Sequence, residues 1–241
     1  MVKSSTLIYG SNFADPFFFR EDTPRTHKPS TEIERSLLEV ERTVEDFTKD
    51  NPEVLVTTLR FANVLGSNVE TTFTRLLRLP AVPEVLGFDP RLQFVHEDDV
   101  AGALAHAAQH DTPGVYNAAG DGVLPWGEVC RIAGKRRVPL PPLFTGLATQ
   151  PLRMLRIANL PQEVLALLRY GRGVDSSRWK STGYRFDHTT LGAVDSFVRA
   201  LRLESTVGKP EDYEYERDVE TFFRRSPAVV DRTGDPEVSS T

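Results

Sequence analysis

The densest run of residues able to do chemistry is His96-Glu97-Asp98-Asp99. An imidazole beside three carboxylates has the composition of a metal site, but neighbours on a strand point to opposite faces and do not converge on one ion. The acids instead suit the positive end of an Ala-rich helix at Val100 to His110, and His96 reads as a core or loop-anchoring residue, so no metal is expected. Cys130 is the single cysteine. It rules out an intrachain disulfide framework, and its neighbours favour a buried helix thiol in a reducing cytoplasm. Taken alone, Ser5 reads as a strand-end residue satisfying backbone groups, and Arg91, Arg172 and Arg178 read as surface cations. No G-x-G-x-x-G or G-x-x-G-x-x-G occurs in the chain. A dinucleotide diphosphate therefore lacks its usual approach to a helix start.

The elements that must position these groups follow from the apolar spacing. Thr6 to Gly10 reads as the end of a buried strand entering a glycine turn, and a proline-broken loop with Phe17-Phe18-Phe19 at its centre follows, pinned onto the body. Thr31 and Glu34 have capping-box spacing, and Ile33, Leu37, Val40, Val44 and Phe47 recur at helical steps after them. Val54 to Arg60, Leu92 to His96 and Gly114 to Ala118 read as strands, and their alternation with helices predicts a parallel α/β sheet covered on both faces. Beyond Gly122, helices are expected near Trp126 to Ala133, Leu147 to Ile157, Pro161 to Tyr170 and Thr190 to Leu201, with a turn-rich stretch at Val138 to Pro142. A solvated helix is expected over Glu211 to Arg225, and disorder over the last dozen residues.

The 241 residues carry 29 Lys and Arg against 34 Asp and Glu, a net charge of −5, with 39% hydrophobic residues. A substantial core is affordable, while nucleic acid and anionic membranes are poor partners. No run of 18 apolar residues occurs, and the N-terminus lacks the apolar core of a signal peptide, so a cytoplasmic protein is expected.

Four stretches, Ser4 to Gly10, Leu59 to Gly66, Leu92 to Val100, and Val174 to Arg178 followed by Gly183-Tyr184, resemble in order and spacing an extended short-chain dehydrogenase/reductase. The likeness is to the NAD-dependent epimerase/dehydratase family, of the actinobacterial UDP-glucose 4-epimerase-like type, over about Met1 to Leu203 and to its C-terminal portion only. It implies an incomplete Rossmann-type parallel sheet, with N-terminal strands missing, in residues 1–120. Residues 67–90 would contribute to a smaller, mainly helical substrate lobe at 121–204, and 205–241 would be an acidic tail. It also implies NAD as cofactor and a sugar nucleotide as substrate. Ser5 would bond the reacting sugar oxygen, Asn63 would lie beside the diphosphate-sugar, and Arg91, Arg172 or Arg178 would meet the diphosphate.

The chain departs from the family where proton transfer is concerned. Counting back eight from Glu41, the glutamate after the family's Tyr-x-x-x-Lys, puts Ile33 at the tyrosine and Leu37 at the lysine, and neither moves a proton. No tyrosine lies between Tyr9 and Tyr116, and Lys28 and Lys49 are the only lysines between Lys3 and Lys135. The leading expectation is a truncated or catalytically impaired member whose NAD binding is doubtful. A partner-dependent, non-catalytic binding protein is one alternative. The other is an enzyme completed by an upstream NAD-binding segment, with Ser5, Glu32 or Glu34 handling the proton. An open sheet edge predicts self-association.

Overall fold

The computed structural model describes residues 1–141 and 160–207. The chain divides into two compact units, Met1–Leu201 and Arg202–Thr241, the second lying almost wholly outside the described residues.

Three parallel strands, β1 (Val2–Ser5), β3 (Thr57–Phe61) and β8 (Gly114–Ala118), pair in the order β1-β3-β8. Parallel neighbours need a crossover, and helices supply both: α1 (Glu32–Asp50) lies between β1 and β3, and α3 (Glu97–Gln109) between β3 and β8. Among the described residues β1 is paired on one side only. Leu59, Phe61, Tyr116 and Ala118 are buried on one face of this sheet and Thr58 and Asn117 on the other, in keeping with a sheet covered on both faces. They share a core with Tyr9, Phe19, Val95 and Trp179.

A second core joins α2 (Thr72–Arg78) and β5 (Ala81–Val85) to α4 (Trp126–Ile132), α5 (Gln162–Tyr170) and α7 (Thr190–Val207), through Phe73, Leu77, Trp126, Leu167 and Phe197. Two short parallel pairs connect these regions: β4 (Asn63–Leu65) with β7 (Phe94–His96), and β2 (Phe18–Phe19) with β11 (Gly173–Val174). The described residues also hold an antiparallel pair, β6 (Arg91–Leu92) with β9 (Leu124–Pro125), and a four-residue helix, α6 (Ser177–Lys180).

Several local expectations are corrected. The first strand ends at Ser5, and Thr6–Tyr9 is a 3-10 turn. The Ser5 hydroxyl accepts from the Leu7 N–H and Gly10 N–H closes the turn on the Leu7 carbonyl, so local bonds replace the ladder. The capping box at Thr31 is half formed: its hydroxyl accepts from Glu34 N–H, but the Glu34 carboxylate turns to Ser30 N–H and Arg25. The strand expected from Leu92 to His96 splits into β6 and β7 around Gln93. Its helix begins at Glu97, capped by the His96 ring, which accepts from Asp98 N–H. Val138 to Leu140 are not turn residues. They lie in β10 (Arg136–Leu140), which among the described residues pairs only with β5, so Pro139 can withhold its N–H on an edge strand. Of the Phe triplet, Phe19 is buried while Phe17 and Phe18 are exposed. The helices expected over Leu147 to Ile157 and Glu211 to Arg225 lie outside the described residues.

Candidate functional site

Three of the residues singled out in the sequence border one cavity. It has a volume of about 220 Å³ and its walls come from the end of β1, the start of α1, β4, the start of α2, and α5. Ser5, Asn63, Thr71, Thr72 and Glu163 are its polar lining, and Leu7, Ile33, Val64, Phe73 and Leu167 are among the apolar ones. Ile33 is 42% exposed here, whereas Leu37 is half-buried and packs against the core that holds Tyr9 and Phe19. The cavity wall at residue 33 is hydrocarbon.

The bonds behind this wall fix how its polar groups are presented. Asn63 donates from Nδ2 to the Gln93 carbonyl at 3.0 Å. The reverse amide orientation would set two oxygens against each other, so Oδ1 is the end turned away from that carbonyl. Thr71 donates to the Val64 carbonyl at 3.0 Å and caps α2 by accepting from Thr74 N–H. Gln93, which the sequence did not single out, is buried. Its side chain accepts from Val174 N–H at 2.7 Å and donates to the Gly120 carbonyl at 2.9 Å. A lone polar residue between two buried hydrophobics was the signal that could have found it.

The arginines are not gathered at this cavity. Arg172 is buried behind Gly10, donating from Nη1 to the Gly10 carbonyl at 2.9 Å, while its Nη2 has no hydrogen-bond partner among the described residues. Burial pulls its guanidinium down to about 10 despite Glu34 and Asp15 nearby. Arg91 is exposed and lies over the Phe17 ring, and its carbonyl accepts from Arg172 N–H. Arg178 lies over Tyr116, in a polar depression with Arg20, Asp22 and Asp175. Arg91 and Arg172 are therefore neighbours through the backbone, and Arg178 stands in a different depression.

Charge at the base of the sheet is structural. Arg60 grips the Glu41 carboxylate with Nε and Nη2 and donates from Nη1 to the Tyr9 hydroxyl at 2.7 Å; Ser4 donates to Glu41 and Tyr9 to Asn117. Burial raises the Tyr9 phenol, only partly offset by Arg60. Glu34 is buried against Arg25 at 2.6 Å. Burial pushes its carboxyl up, but the Ser30 N–H and Arg25 outweigh it and hold the group below the ordinary value. Glu34 does not line the cavity, and Glu32 is exposed in the first turn of α1. His96 is buried, stacked on the His188 ring with centroids 4.0 Å apart. No group of three or more potential metal ligands occurs among the described residues.

The described residues do not form a cradle for an NAD diphosphate. Two strands run through glycine toward a helix. After β8, a Cβ at Gly120 would meet the His188 and Phe94 carbonyl oxygens at 2.8 and 2.9 Å, so protein already fills that space, and α4 is capped by Pro125, which has no N–H. After β4, the Glu97 side chain fills the space over Gly66 and its carboxylate accepts from Asn68 N–H. A carboxylate there repels phosphate.

Known proteins give this geometry a context. The family model described as NAD dependent epimerase/dehydratase family matches residues 1–119. An uncharacterized protein of Mycobacterium tuberculosis, Rv0501, is 37% identical over 208 residues, covering 84% of this chain and 54% of that protein. The chain thus spans about half the length of the curated relatives it matches. Among solved structures, the UDP-glucuronic acid 4-epimerase from Bacillus cereus in complex with NAD aligns at TM-score 0.61 and 15% identity, over 83% of this chain and 60% of that one. The UDP-glucose 4-epimerase from Thermotoga maritima with UDP-glucose aligns at TM-score 0.59 and 18% identity, over 84% and 63%. The dTDP-glucose 4,6-dehydratase from Bacillus anthracis in complex with NAD gives 0.62 and 15%, over 85% and 62%. At such identities the likeness is one of fold, a Rossmann-like parallel α/β arrangement, as the sequence predicted. Over residues 1–119, just under half of its length, this chain is similar to the NAD dependent epimerase/dehydratase family.

Proposed function

We propose that the chain is the sugar-nucleotide-binding part of an epimerase/dehydratase-family protein and has no proton relay of the family's usual kind. The carrying observation is that Ser5, Asn63 and Ile33 border one cavity of about 220 Å³. Ser5 and Asn63 are the residues that the family resemblance assigns to the sugar, and Ile33 stands at its tyrosine position. Support for assigning the cavity to a junction between a Rossmann-type part, residues 1–120, and a substrate lobe, residues 121–204, comes from its walls: α5 closes what β1, α1 and β4 begin.

In this reading the chain orients a glycosyl group. The Ser5 hydroxyl, already accepting from Leu7 N–H, keeps its hydrogen for a ligand oxygen. Ile33 and Leu7 exclude water beside it. NAD, when present in family members, carries the hydride; the described residues here contribute no cradle for it. Arg172, with a buried and unpartnered Nη2, is the strongest of the three arginines for an anion such as a diphosphate.

Calorimetric titration of the full chain with UDP-glucose and, separately, NAD tests the proposal. Binding of UDP-glucose without NAD is expected, weakened in Asn63→Ala. Binding of NAD alone, or of neither, overturns it.

A further inference from the structure

The cavity has an electrostatic character that the family resemblance does not supply. Glu163 is the one ionisable side chain among the described residues that line it, and no cation accompanies it. Its carboxylate has no hydrogen bond or ion pair with a described residue. The uncharged groups lean the same way. Asn63 has turned its nitrogen to the Gln93 carbonyl, and Thr71 has given its hydrogen to the Val64 carbonyl. What remains for an occupant is mainly acceptors, on Glu163 and Asn63, with donors reduced chiefly to the hydroxyls of Ser5 and Thr72.

Size narrows the occupant further. About 220 Å³ falls below the roughly 300 Å³ at which small-molecule sites usually begin, so a single ring fits where a whole sugar nucleotide does not. Arg91, Arg172 and Arg178 are absent from its lining. An anionic group on the ring would meet Glu163 with no cation among the described lining residues to neutralise either charge, and like charges in a partly desolvated site are costly.

Building on the sugar-nucleotide reading above, we infer that this cavity selects a neutral, hydroxyl-rich hexosyl group and rejects one bearing a carboxylate, with Glu163 as the specificity-determining residue. Hydroxyls donate to the Glu163 carboxylate and Asn63 Oδ1 and accept from Ser5. A uronate in the same seat places two carboxylates face to face.

The test is a pair of titrations at low ionic strength, UDP-glucose and UDP-glucuronate into the full chain, wild type and Glu163→Gln, with Glu163→Asp as the charge-preserving control. Wild type is expected to prefer UDP-glucose by at least about tenfold, and Glu163→Gln to shrink that ratio by a similar factor, which one such charge contact can supply. Glu163→Asp should keep most of the preference. Equal affinity of wild type for both ligands, or a ratio unchanged in Glu163→Gln at matching melting temperature, overturns the inference and leaves the sugar-nucleotide reading standing. Binding of neither ligand by wild type overturns both.

Discussion

Arg60 and Glu41 form a forked ion pair in which both guanidinium nitrogens Nε and Nη2 engage the carboxylate, at 2.9 and 2.5 Å, with both side chains about nine-tenths buried. The pair clamps α1 onto β3 and, through Ser4 and Tyr9, onto β1 and its turn. Removing one partner strands the other as a buried charge, so Glu41→Gln should cost roughly 3–5 kcal/mol. Urea unfolding followed by far-UV circular dichroism measures this, and a loss under about 1 kcal/mol would mean that the pair behaves as a surface one.

Glu34 gives stability a defined acid limb. Its folded pKa lies below the ordinary value of 4.5 because Ser30 N–H and Arg25 outweigh burial. Folding is therefore favoured by this group above pH 4.5, and the contribution is lost as pH falls through the lower, folded value. Glu34→Gln should lower stability at pH 7 by about 1.5–3 kcal/mol and flatten the decline between neutral and acid pH. Thermal melts of both proteins across that range supply the comparison.

Cys130 is buried, and burial pushes its thiol up to about 12. The reactive thiolate is then scarce at pH 8. Ellman's reagent should react with the native chain at least about a hundredfold more slowly than with the urea-unfolded chain. Comparable rates would place the thiol at the surface.

Residues 33 and 37 allow a direct test of the missing relay. Ile33 is 42% exposed, so tyrosine is tolerated there, while Leu37→Lys sets an ammonium against a partly buried apolar surface. The double variant should fold with a loss of about 1–2 kcal/mol. It should form no UDP-galactose from UDP-glucose plus NAD, because no cradle for the diphosphate of NAD exists among the described residues. Product detected by chromatography would refute this.

Exposed apolar side chains on α1 and the segment after it, Val40, Phe47, Val54 and Leu55, together with β1, paired on one side only among the described residues, favour association of copies. Light scattering should find species larger than the monomer, and Phe47→Glu with Leu55→Glu should shift the distribution toward monomer.

The sequence revealed what periodicity and composition can carry. The apolar steps from Ile33 to Phe47 marked α1, and the β-branched run before Arg60 marked β3, because both patterns arise from burial along a single element. Ser5 and Asn63 were nominated by motif and are found at one cavity. Glu163 escaped notice because an acid in the first turn of a helix looks like any other, and only the packing of α5 gives it a cavity to face. The seat of Arg172 behind Gly10 depends on a contact spanning 162 residues, which no local pattern encodes. The strand β10 was hidden by Pro139, whose acceptance depends on the strand having one neighbour rather than two among the described residues.

Gln93 ties β4, β11 and the turn after β8 together through its own polar groups. Its carbonyl steadies Asn63 while its carboxamide holds Val174, 81 residues away, and the Gly120 turn, 27 residues away. A ligand tugging on Asn63 therefore pulls against β11 and the end of β8 together, and the cleft wall resists as one rigid piece. Glutamate in its place would keep the size but set a lone pair against the Gly120 oxygen, turning the fastening into a wedge.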